Sequence, residues 1–428
     1  MLRNRRILVI VPIILIALAI AAVVRFNLNK GIENDNLLLN KGNKNEIAKG
    51  LQIAEDQDNS PTTPVPPQQN TNENTNRDSG GRKKPVKVGV KAKAIYITGS
   101  SAGNRNYLNK VINMINSTEL NAVVIDVKED GRVNYKSEVD KVKGINAYHE
   151  LYNVDEVLKT LHDNNIYVIG RVVCFRDNYL ALKRADLAVK NSNGAMWKEN
   201  GSIAWTNPYN KEVWQYNIEI AKEAVRKGFD EIQFDYVRFP TARKTDVYYG
   251  DVPPKADAIS GFLKQAGNEL NAMGVLVSAD IFAIVCESPG DREGIGQVLE
   301  KVGTNIDYIS PMIYPSHYAN NSKGMMGNGV GQSINGVLFK APDLKPYDVV
   351  YNALTKTRNR VSKTDGYRAK VRPYLQYFTA TYLPKGYYQS YGPEQVKQQI
   401  KAVYDAGYEE WIFWDASNAY KDRSFVKG

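Results

Sequence analysis

The sequence contains little cysteine or histidine, the residues that build most disulfide frameworks and zinc centres. Only two cysteines, Cys174 and Cys286, and three histidines occur among its 428 residues. The two cysteines lie near the ends of different predicted strands, so we expect two free, buried thiols. His149 and His162 fall in or beside predicted helices, which leaves His317 alone near the strand ends. This distribution argues against a zinc hydrolase centre built on several imidazoles, and we predict neither a metal nor another cofactor.

Two sequence signatures of other protein classes are also missing. No glycine-rich turn of the nucleotide-binding type follows the first predicted strand, which argues against an open, doubly wound sheet. No Gly-x-Ser-x-Gly elbow follows any predicted strand, which disfavours a hydrolase acting on peptide or acyl bonds.

The net charge of +10 includes five uncompensated basic residues in residues 1–30, so the rest of the chain is only about +5. We therefore predict no nucleic-acid partner. A mildly basic body either attracts anionic wall polymers weakly or serves solubility.

The first 30 residues predict a membrane anchor or a signal peptide. Arg3, Arg5 and Arg6 precede 18 uncharged residues, Ile7–Val24, which as a helix span about 27 Å and so cross the hydrocarbon core of a bilayer. The basic flank should stay in the cytoplasm, and the rest of the chain should lie outside it. Small residues at 17–21 also suit a signal peptidase, in which case the protein is secreted. We favour a single-pass anchor because the apolar run is long for a signal peptide.

Residues 31–87 predict a disordered tether. They contain eight Lys or Arg and eight Asp or Glu, a proline-rich run at Ser60–Asn70, many Asn and almost no aromatic residue. Such a segment cannot bury enough apolar surface to fold, and its proline-rich part should be locally extended. The predicted organisation is an anchor or signal peptide at 1–30, a disordered Pro- and Asn-rich linker at 31–87, and one folded domain at 88–428.

The folded domain alternates strand and helix signals. Helical stretches such as 154–164, 210–227, 256–273 and 393–406 separate eight short apolar runs. Strands that alternate with helices in this way indicate parallel βαβ units, and eight units in one domain predict a closed (β/α)8 TIM barrel. The predicted strands are Ala92–Thr98, Asn121–Lys128, Ile166–Phe175, Glu231–Phe239, Val275–Ala283, Tyr308–Tyr314, Val371–Phe378 and Glu409–Ser417.

Polar residues interrupt several predicted strands near their C-terminal ends. Side chains of a barrel strand alternate between the lumen and the surrounding helices, and the side that faces the helices must be apolar. Alternation therefore predicts that Asp126 and Lys128 face the lumen from the second strand. It places Asp235, Asp280 and Gln376 there from later strands. Because TIM-barrel active sites lie at the C-terminal ends of the strands, we predict a polar upper layer above an apolar plug.

Two of these carboxylates suggest a reaction. Hydrolysis of a glycosidic bond needs one carboxyl group to protonate the leaving oxygen and a second carboxylate to attack the anomeric carbon or activate water. Asp235 and Asp280 belong to neighbouring strands about 4.8 Å apart, which allows both retaining and inverting carboxyl separations. We predict that Asp235 is the nucleophile or base, kept ionised by Arg238 or Arg171, and that Asp280 is the general acid. Glu287, on the following loop, is the rival acid. A buried salt-bridge network that only braces the barrel is the structural alternative.

The remaining polar and aromatic residues near the strand ends fit sugar binding. Aromatic faces offer broad apolar surfaces to the C–H faces of sugars, and tyrosine, which outnumbers phenylalanine by 27 to 11, suits a cleft that is partly wet. A tyrosine-rich rim without a ligand is the alternative interpretation. The predicted substrate-binding residues are Asp126, Lys128, Arg171, Arg238, Tyr314, His317, Gln376, Trp414 and Asp415.

Long motifs, in order along the chain, resemble one family. They include VIDVKEDGRVNY at 124–135, FDEIQFDYVRFP at 229–240, DYISPMIYPSHY at 307–318 and WIFWDASNAY at 411–420. Over about residues 92–425 the chain resembles the putative glycosyl hydrolase domain family of bacterial exported proteins.

The resemblance implies a barrel distantly similar to the α-amylase superfamily. Such barrels place a nucleophilic Asp at the end of the fourth strand, often with an Arg close by, and an acid after the fifth strand. Asp235 and Arg238 match the first pattern. The acid departs from the family's pattern, because amylase-like enzymes use Glu where this chain has Asp280, with Glu287 just beyond.

Three hypotheses for function follow. The first is a membrane-tethered glycoside hydrolase acting outside the cytoplasm on a cell-wall, capsule or other surface polysaccharide. The second is a barrel that binds such a polymer without cleaving it, and the third is a hydrolase of peptide or acyl bonds on the same scaffold. The expected partners are the polysaccharide and, through the N-terminal segment, the cell membrane. No obligate protein partner is predicted.

Overall fold

A computed structural model describes residues 89–318 and 331–426. Within them, eight parallel strands close into a barrel, and each strand pairs with its neighbours in the order of the chain, β8 returning to β1. All eight predicted strands are confirmed, and the domain is a (β/α)8 TIM barrel. The strands are β1 (Lys93–Ile97), β2 (Ala122–Glu129), β3 (Tyr167–Val173), β4 (Glu231–Asp235), β5 (Leu276–Phe282), β6 (Tyr308–Ile313), β7 (Tyr374–Gln376) and β8 (Trp411–Trp414).

Helices surround the barrel between successive strands, and the four predicted helical stretches are confirmed as α4, α6, α7 and α11. After β8 the chain forms only the short 3-10 turn Asp422–Ser424 within the described residues. The helices are α1 (Gly99–Gly103), α2 (Arg105–Ser117), α3 (Asp140–Gly144), α4 (Val154–Asp163), α5 (Asn178–Lys183), α6 (Lys211–Lys227), α7 (Lys255–Asn271), α8 (Ala283–Glu287), α9 (Leu299–Val302), α10 (Pro346–Val361) and α11 (Pro393–Asp405).

Short strands decorate this framework. Arg132–Val133 pairs with the end of β2, and Lys370–Val371 pairs with β6 just before β7. Two small hairpins lie in the loops that follow β3 and β6. They consist of Lys198–Glu199 with Ile203–Ala204 and of Gln332–Ile334 with Val337–Phe339.

Local signals at the ends of α6 lead the chain into β4. The side chain of Asn210 caps the helix by accepting a hydrogen bond from the amide of Glu212. Gly228 ends the helix with a φ of +115°, a left-handed conformation that glycine adopts without a steric penalty. The chain then turns directly into β4, the strand that carries Asp235.

The outward faces of the strands pack against the helices. Phe262 of α7 lies at the centre of one aromatic group, with ring centroids 5.2 Å from Phe234, 5.3 Å from Phe175 and 5.9 Å from Trp214. Full burial of such a side chain stabilises a fold by about 1.5–3 kcal/mol. This packing fixes β4, whose inward face carries Asp235.

The predicted apolar plug is present in only half of the lumen. Ala94, Val124, Ile169 and Ile412 form an apolar cluster between β8 and β3. On the opposite side, below the predicted site, the lumen is charged. The prediction is wrong there because side-chain alternation identifies which residues point inward but not which of them find partners.

The charged part of the lumen is a buried ion network. Arg372 forms a salt bridge with Glu231, and both side chains are fully buried. Arg372 also lies 3.6 Å from Glu410, which accepts a hydrogen bond of 3.2 Å from the Tyr308 hydroxyl. The Ser278 hydroxyl donates to Glu231 at 2.5 Å. Most of the polar groups beneath the upper layer thus find partners in one another, although Nε of Arg372 is buried without one among the described residues.

β4 and β8 end four and three residues before their predicted ends. β4 ends at Asp235 rather than at Phe239, because Tyr236 adopts a φ of +48° and turns the chain out of the sheet. A left-handed conformation in a bulky residue costs about 1–3 kcal/mol and is common at functional sites. β8 ends at Trp414, which places Asp415 in the following loop.

The structure describes the two thiols but not the N-terminal segment. Cys174 and Cys286 are both free and buried, as predicted. The predicted anchor at 1–30 and linker at 31–87 lie outside the described residues. Among the helices that the structure describes, none has the length and apolar character needed to cross a bilayer.

Candidate functional site

Asp235 and Asp280 lie side by side at the upper end of the lumen. The pairing of β4 with β5 aligns Gln233 with Ser278 and Phe234 with Ala279, so the next positions are these two aspartates. Adjacent strands lie about 4.8 Å apart. Asp235 is 8% exposed and Asp280 is 2% exposed. The structure therefore brings together the two carboxyl groups that the sequence analysis paired.

Arg171 of β3 is the ionic partner of Asp235. Its Nε and Nη2 donate to one carboxylate oxygen of Asp235 at 3.0 and 2.7 Å. Its Nη1 donates to Asp126 at 2.6 Å and to Glu129 at 2.5 Å. Hydrogen bonds between charged groups are shorter and stronger than neutral ones. Of the two arginines predicted as partners of Asp235, Arg171 forms the ion pair, and Arg238 forms none among the described residues.

Asp280 has a different environment. Its Oδ1 is buried and has no hydrogen-bond partner among the described residues. Burial raises the pKa of Asp280 well above its ordinary value, and the neighbouring Asp235 raises it further. A carboxyl group in this environment keeps its proton at pH values where an exposed aspartate has lost it. Two adjacent carboxyl groups in contrasting environments are the arrangement that separates an acid from a base.

Glu129 belongs to the site and was missed from the sequence. It ends β2, pairs with Arg171, and keeps 32% of its side chain exposed at the mouth of the lumen. Burial raises the pKa of Glu129, while Arg171 opposes that rise. Regular alternation of side chains along β2, counted from Asp126, places Lys128 and not Glu129 on the face toward the lumen.

The prediction that Lys128 faces the lumen is wrong. The pairing of β2 with β3 is irregular between Asp126 and Lys128, and an extra residue in one strand reverses the side-chain directions beyond it. Lys128 therefore points to the helices, where its Nζ lies 2.6 Å from Asp177 and 2.9 Å from Asn217. The side chains of Lys128 and Asp177 are fully buried, so Lys128 has no access to a ligand in the lumen.

The geometry does not support Glu287 as the rival acid. It ends α8 and accepts a hydrogen bond of 3.1 Å from the backbone amide of Asn335. Burial raises its pKa, and the cations that oppose this rise, Lys356 and Arg360, belong to α10. Glu287 thus faces the outer helix layer, because the chain leaves the lumen immediately after β5.

Gln376 and Asp415 use their polar atoms within the fold. Gln376 donates to Asp343 at 2.9 Å and accepts from the amide of Ser316 at 3.0 Å. The Asp415 carboxylate accepts from the amides of Ser417 and Ala419, each at 3.0 Å. Both residues therefore brace loops at the mouth of the barrel, and their predicted sugar contacts would require these bonds to break.

Aromatic side chains form a wall beside the carboxyl groups. Trp414 is at its centre, with ring centroids 5.4 Å from Phe378, 5.9 Å from Tyr314 and 6.2 Å from Tyr96. His317 extends the wall, 5.0 Å from Tyr314. The structure thus gathers Tyr314, His317 and Trp414 as predicted. Phe378 and Tyr96 were missed, because single aromatic residues in or next to apolar strands are indistinguishable from core residues in the sequence.

Arg238 lies beyond the turn at Tyr236. It is buried, and its Nη1 donates to the carbonyl oxygen of Phe239 at 2.9 Å. No ion pair of Arg238 occurs within the part of the chain that the structure describes.

In the same part, no group of three or more His, Cys, Asp or Glu has a geometry that could hold a metal ion.

Comparison with known proteins identifies a family. Residues 94–420 match the model of a family described as a putative glycosyl hydrolase domain. A search of curated proteins gave no match.

Solved structures include several similar chains. A hypothetical protein from Ruminiclostridium thermocellum is 48% identical, covering 44% of this chain and 96% of that chain with a TM-score of 0.42. The PgaB (BpsB) glycoside hydrolase domain from Bordetella bronchiseptica is 12% identical, covering 76% and 94%, with a TM-score of 0.54. An α-galactosidase from Thermus thermophilus is 12% identical, covering 79% and 64%, with a TM-score of 0.45. The family match spans most of the chain and the whole barrel, and the chain therefore belongs to the putative glycosyl hydrolase domain family.

Proposed function

We propose that the protein is an extracytoplasmic glycoside hydrolase that cleaves a cell-wall, capsule or other surface polysaccharide with two carboxyl groups. The observation that carries the proposal is the contrast between two adjacent aspartates. Asp235 is paired with the Arg171 guanidinium, whereas Asp280 is buried, forms no ion pair among the described residues, and has a pKa that burial raises well above its ordinary value. Family membership and the aromatic wall support the same conclusion.

In the proposed reaction, Asp280 donates its proton to the glycosidic oxygen as the bond from that oxygen to the anomeric carbon breaks. Asp235 either bonds to the anomeric carbon directly or takes a proton from the water that does so. In the first case, water later releases the sugar from Asp235 and returns a proton to Asp280. The separation of the carboxyl groups with sugar bound decides between the two, and proton NMR of the first anomer released distinguishes them.

The first experiment is reducing-sugar release by the full-length chain from a panel of wall, capsule and amino-sugar polysaccharides. The variants Asp235→Asn and Asp280→Asn are assayed in parallel. Release by the wild-type protein that both substitutions abolish supports the hydrolase. No release, together with tight binding of one polymer by all three proteins, favours a barrel that binds polysaccharide without cleaving it.

The pH dependence tests the role of Asp280. Since a general acid must be protonated, kcat/KM should fall as pH rises through the raised pKa of Asp280. Asp280→Asn should lower kcat/KM by about 10²–10⁴-fold and remove this alkaline decline. A substrate with a dinitrophenolate leaving group needs no protonation, so the variant should lose far less activity on it. Equal losses on both substrates, or a retained alkaline decline, would contradict the assignment.

We also propose that residues 1–87 tether the barrel to the outer face of the membrane. Deletion of residues 1–87 should yield a soluble protein with unchanged kcat/KM, because β1 begins only at Lys93. Fusion of residues 1–30 to a soluble reporter should direct that reporter to the membrane fraction. An insoluble deletion variant with exposed apolar surface would show that the domain boundary is misplaced.

A further inference from the structure

Arg238 is a buried cation without a counter-ion in the described residues. It is 7% exposed, and its Nη1 donates one hydrogen bond, to the carbonyl oxygen of Phe239. Its Nε is buried without a partner, and its Nη2 donates to no described residue. Arg171, the other arginine of the site, instead contacts three carboxylates. The two guanidinium groups therefore have different tasks.

Three aromatic rings surround Arg238. Its guanidinium carbon lies 4.6 Å from the ring centroid of Phe282, 4.8 Å from that of Trp205 and 5.2 Å from that of Tyr236. Such rings attract a cation, but they do not satisfy its N–H donors. Burial lowers the pKa of Arg238, which means that the surroundings disfavour its charge. An unpaired buried cation costs desolvation free energy and braces no neighbouring residue. Such a group is more characteristic of a binding site than of a structural ion pair.

The position of Arg238 connects it to the proposed chemistry. Tyr236 directly follows Asp235, and Phe282 lies two residues after Asp280 on β5. The guanidinium therefore sits between the ends of the two strands that carry the carboxyl groups. Arg176 lies near the same Tyr236 ring, 5.4 Å from its centroid, but Arg176 is already paired with Glu199 at 3.2 Å. Arg238, by contrast, has no carboxylate partner among the described residues.

We propose that Arg238 binds a carboxylate of the substrate, so that the enzyme acts on an acidic polysaccharide built from carboxylated sugars. This inference rests on the proposed glycoside hydrolase function. A carboxylate can accept from Nη2 and from the second hydrogen of Nη1, and a guanidinium binds such a planar anion through two parallel hydrogen bonds. Bound at this place, the acidic sugar lies next to the bond to be cleaved. The mild positive charge of the body also favours an acidic polymer.

The test compares matched polymers with the full-length protein. Polygalacturonate, hyaluronan and peptidoglycan glycan strands are each assayed beside their carboxyl-reduced forms, together with a phosphate-rich teichoic acid. The wild-type protein should prefer the carboxylated form of its substrate by roughly 10- to 100-fold in kcat/KM, the range expected for hydrogen bonds to a charged group. Arg238→Gln should bring that ratio close to one. Arg238→Lys keeps the positive charge but lacks the two parallel N–H donors of the guanidinium, so it should retain part of the preference.

Arg243→Gln is the matched control. Arg243 follows in the same loop, half of its side chain is exposed, and it pairs with Asp246 at 2.8 Å. This variant should keep the wild-type preference. Thermal unfolding of Arg238→Gln should occur at or above the wild-type temperature, since the substitution removes an unpaired buried charge.

Different results overturn the two proposals separately. Equal cleavage of carboxylated and reduced polymers, or an equal loss on both in Arg238→Gln, overturns the carboxylate site and leaves the hydrolase intact. A preference for teichoic acid would show that Arg238 binds phosphate, and it would overturn the carboxylate assignment as well. If no polymer is cleaved, calorimetry decides. If the wild-type protein binds a carboxylated polymer and Arg238→Gln does not, the carboxylate site is supported although the hydrolase proposal fails. If both proteins bind, or if the wild-type protein binds the reduced polymer equally well, the carboxylate site is overturned.

Discussion

Asp235→Asn is expected to lower turnover by at least about 10³-fold while the barrel still folds, as loss of an essential nucleophile or base does in other enzymes. Asparagine has almost the size of aspartate but can neither attack the anomeric carbon nor accept the proton of water. Arg171 keeps its bonds to Asp126 and Glu129 in the variant, so no cation is left unpaired. The measurement is kcat on the substrate found in the polysaccharide panel, with circular dichroism and sugar binding to verify the fold.

Asp307→Asn provides the control for this prediction. Asp307 is also largely buried, but it lies at the opposite end of the barrel, where it accepts a hydrogen bond from the amide of Val277 at 2.9 Å. This variant should keep its turnover. Unchanged turnover in Asp235→Asn would remove Asp235 from the mechanism. A comparable loss in both variants would trace the effect to folding.

Arg372→Met should have the largest effect on stability, lowering the free energy of unfolding by roughly 3–5 kcal/mol. The substitution leaves Glu231 in the lumen without its cation, and the side chain of Glu231 is fully buried. Most of the loss is the penalty for that uncompensated charge. The double variant Glu231→Gln/Arg372→Met should therefore recover much of the stability, which urea unfolding of the four proteins in a mutant cycle measures.

Arg368→Met is the matched control for the ion network. Arg368 also pairs with an aspartate, Asp307, but half of the Arg368 side chain is exposed. In the variant, Asp307 keeps its hydrogen bonds from the amide of Val277 and the side chain of Asn271, so the loss should be only about 0–1 kcal/mol. A loss of less than about 1 kcal/mol for Arg372→Met would show that water or local rearrangement relieves the buried charge of Glu231. In that case the lower lumen is not a rigid support for the site.

Several features of the site follow from local sequence patterns. The alternation of apolar runs and helical stretches predicts all eight strands, because each strand and helix must bury one face against the other layer. The same alternation, combined with the rule that TIM-barrel sites lie at strand ends, predicts the pairing of Asp235 with Asp280. Aromatic residues at the ends of β6 and β8 predict the wall around Trp414. Each of these inferences uses residues close together in the chain.

Other features arise only when distant segments meet. An irregular pairing of β2 with β3 turns Lys128 outward and brings Glu129 to the mouth of the lumen. Arg372 and Glu231 form an ion pair although they are 141 residues apart in the chain. Their pairing is invisible in the sequence because charge alone does not say which partner a residue finds.

The sequence by itself therefore determined the barrel, the end of the barrel that holds the candidate site, and the pairing of the two aspartates there, since these depend on periodicity and strand order. The tertiary structure alone decided which cation serves which acid. Arg171 reaches Asp235 from the neighbouring strand, whereas Arg238, only three residues after Asp235, is turned away at Tyr236 into a ring of aromatic side chains. The sequence left both arginines open as partners of Asp235, and closeness across the sheet selected Arg171, because ionic and hydrogen-bond energies depend on distance and direction in space.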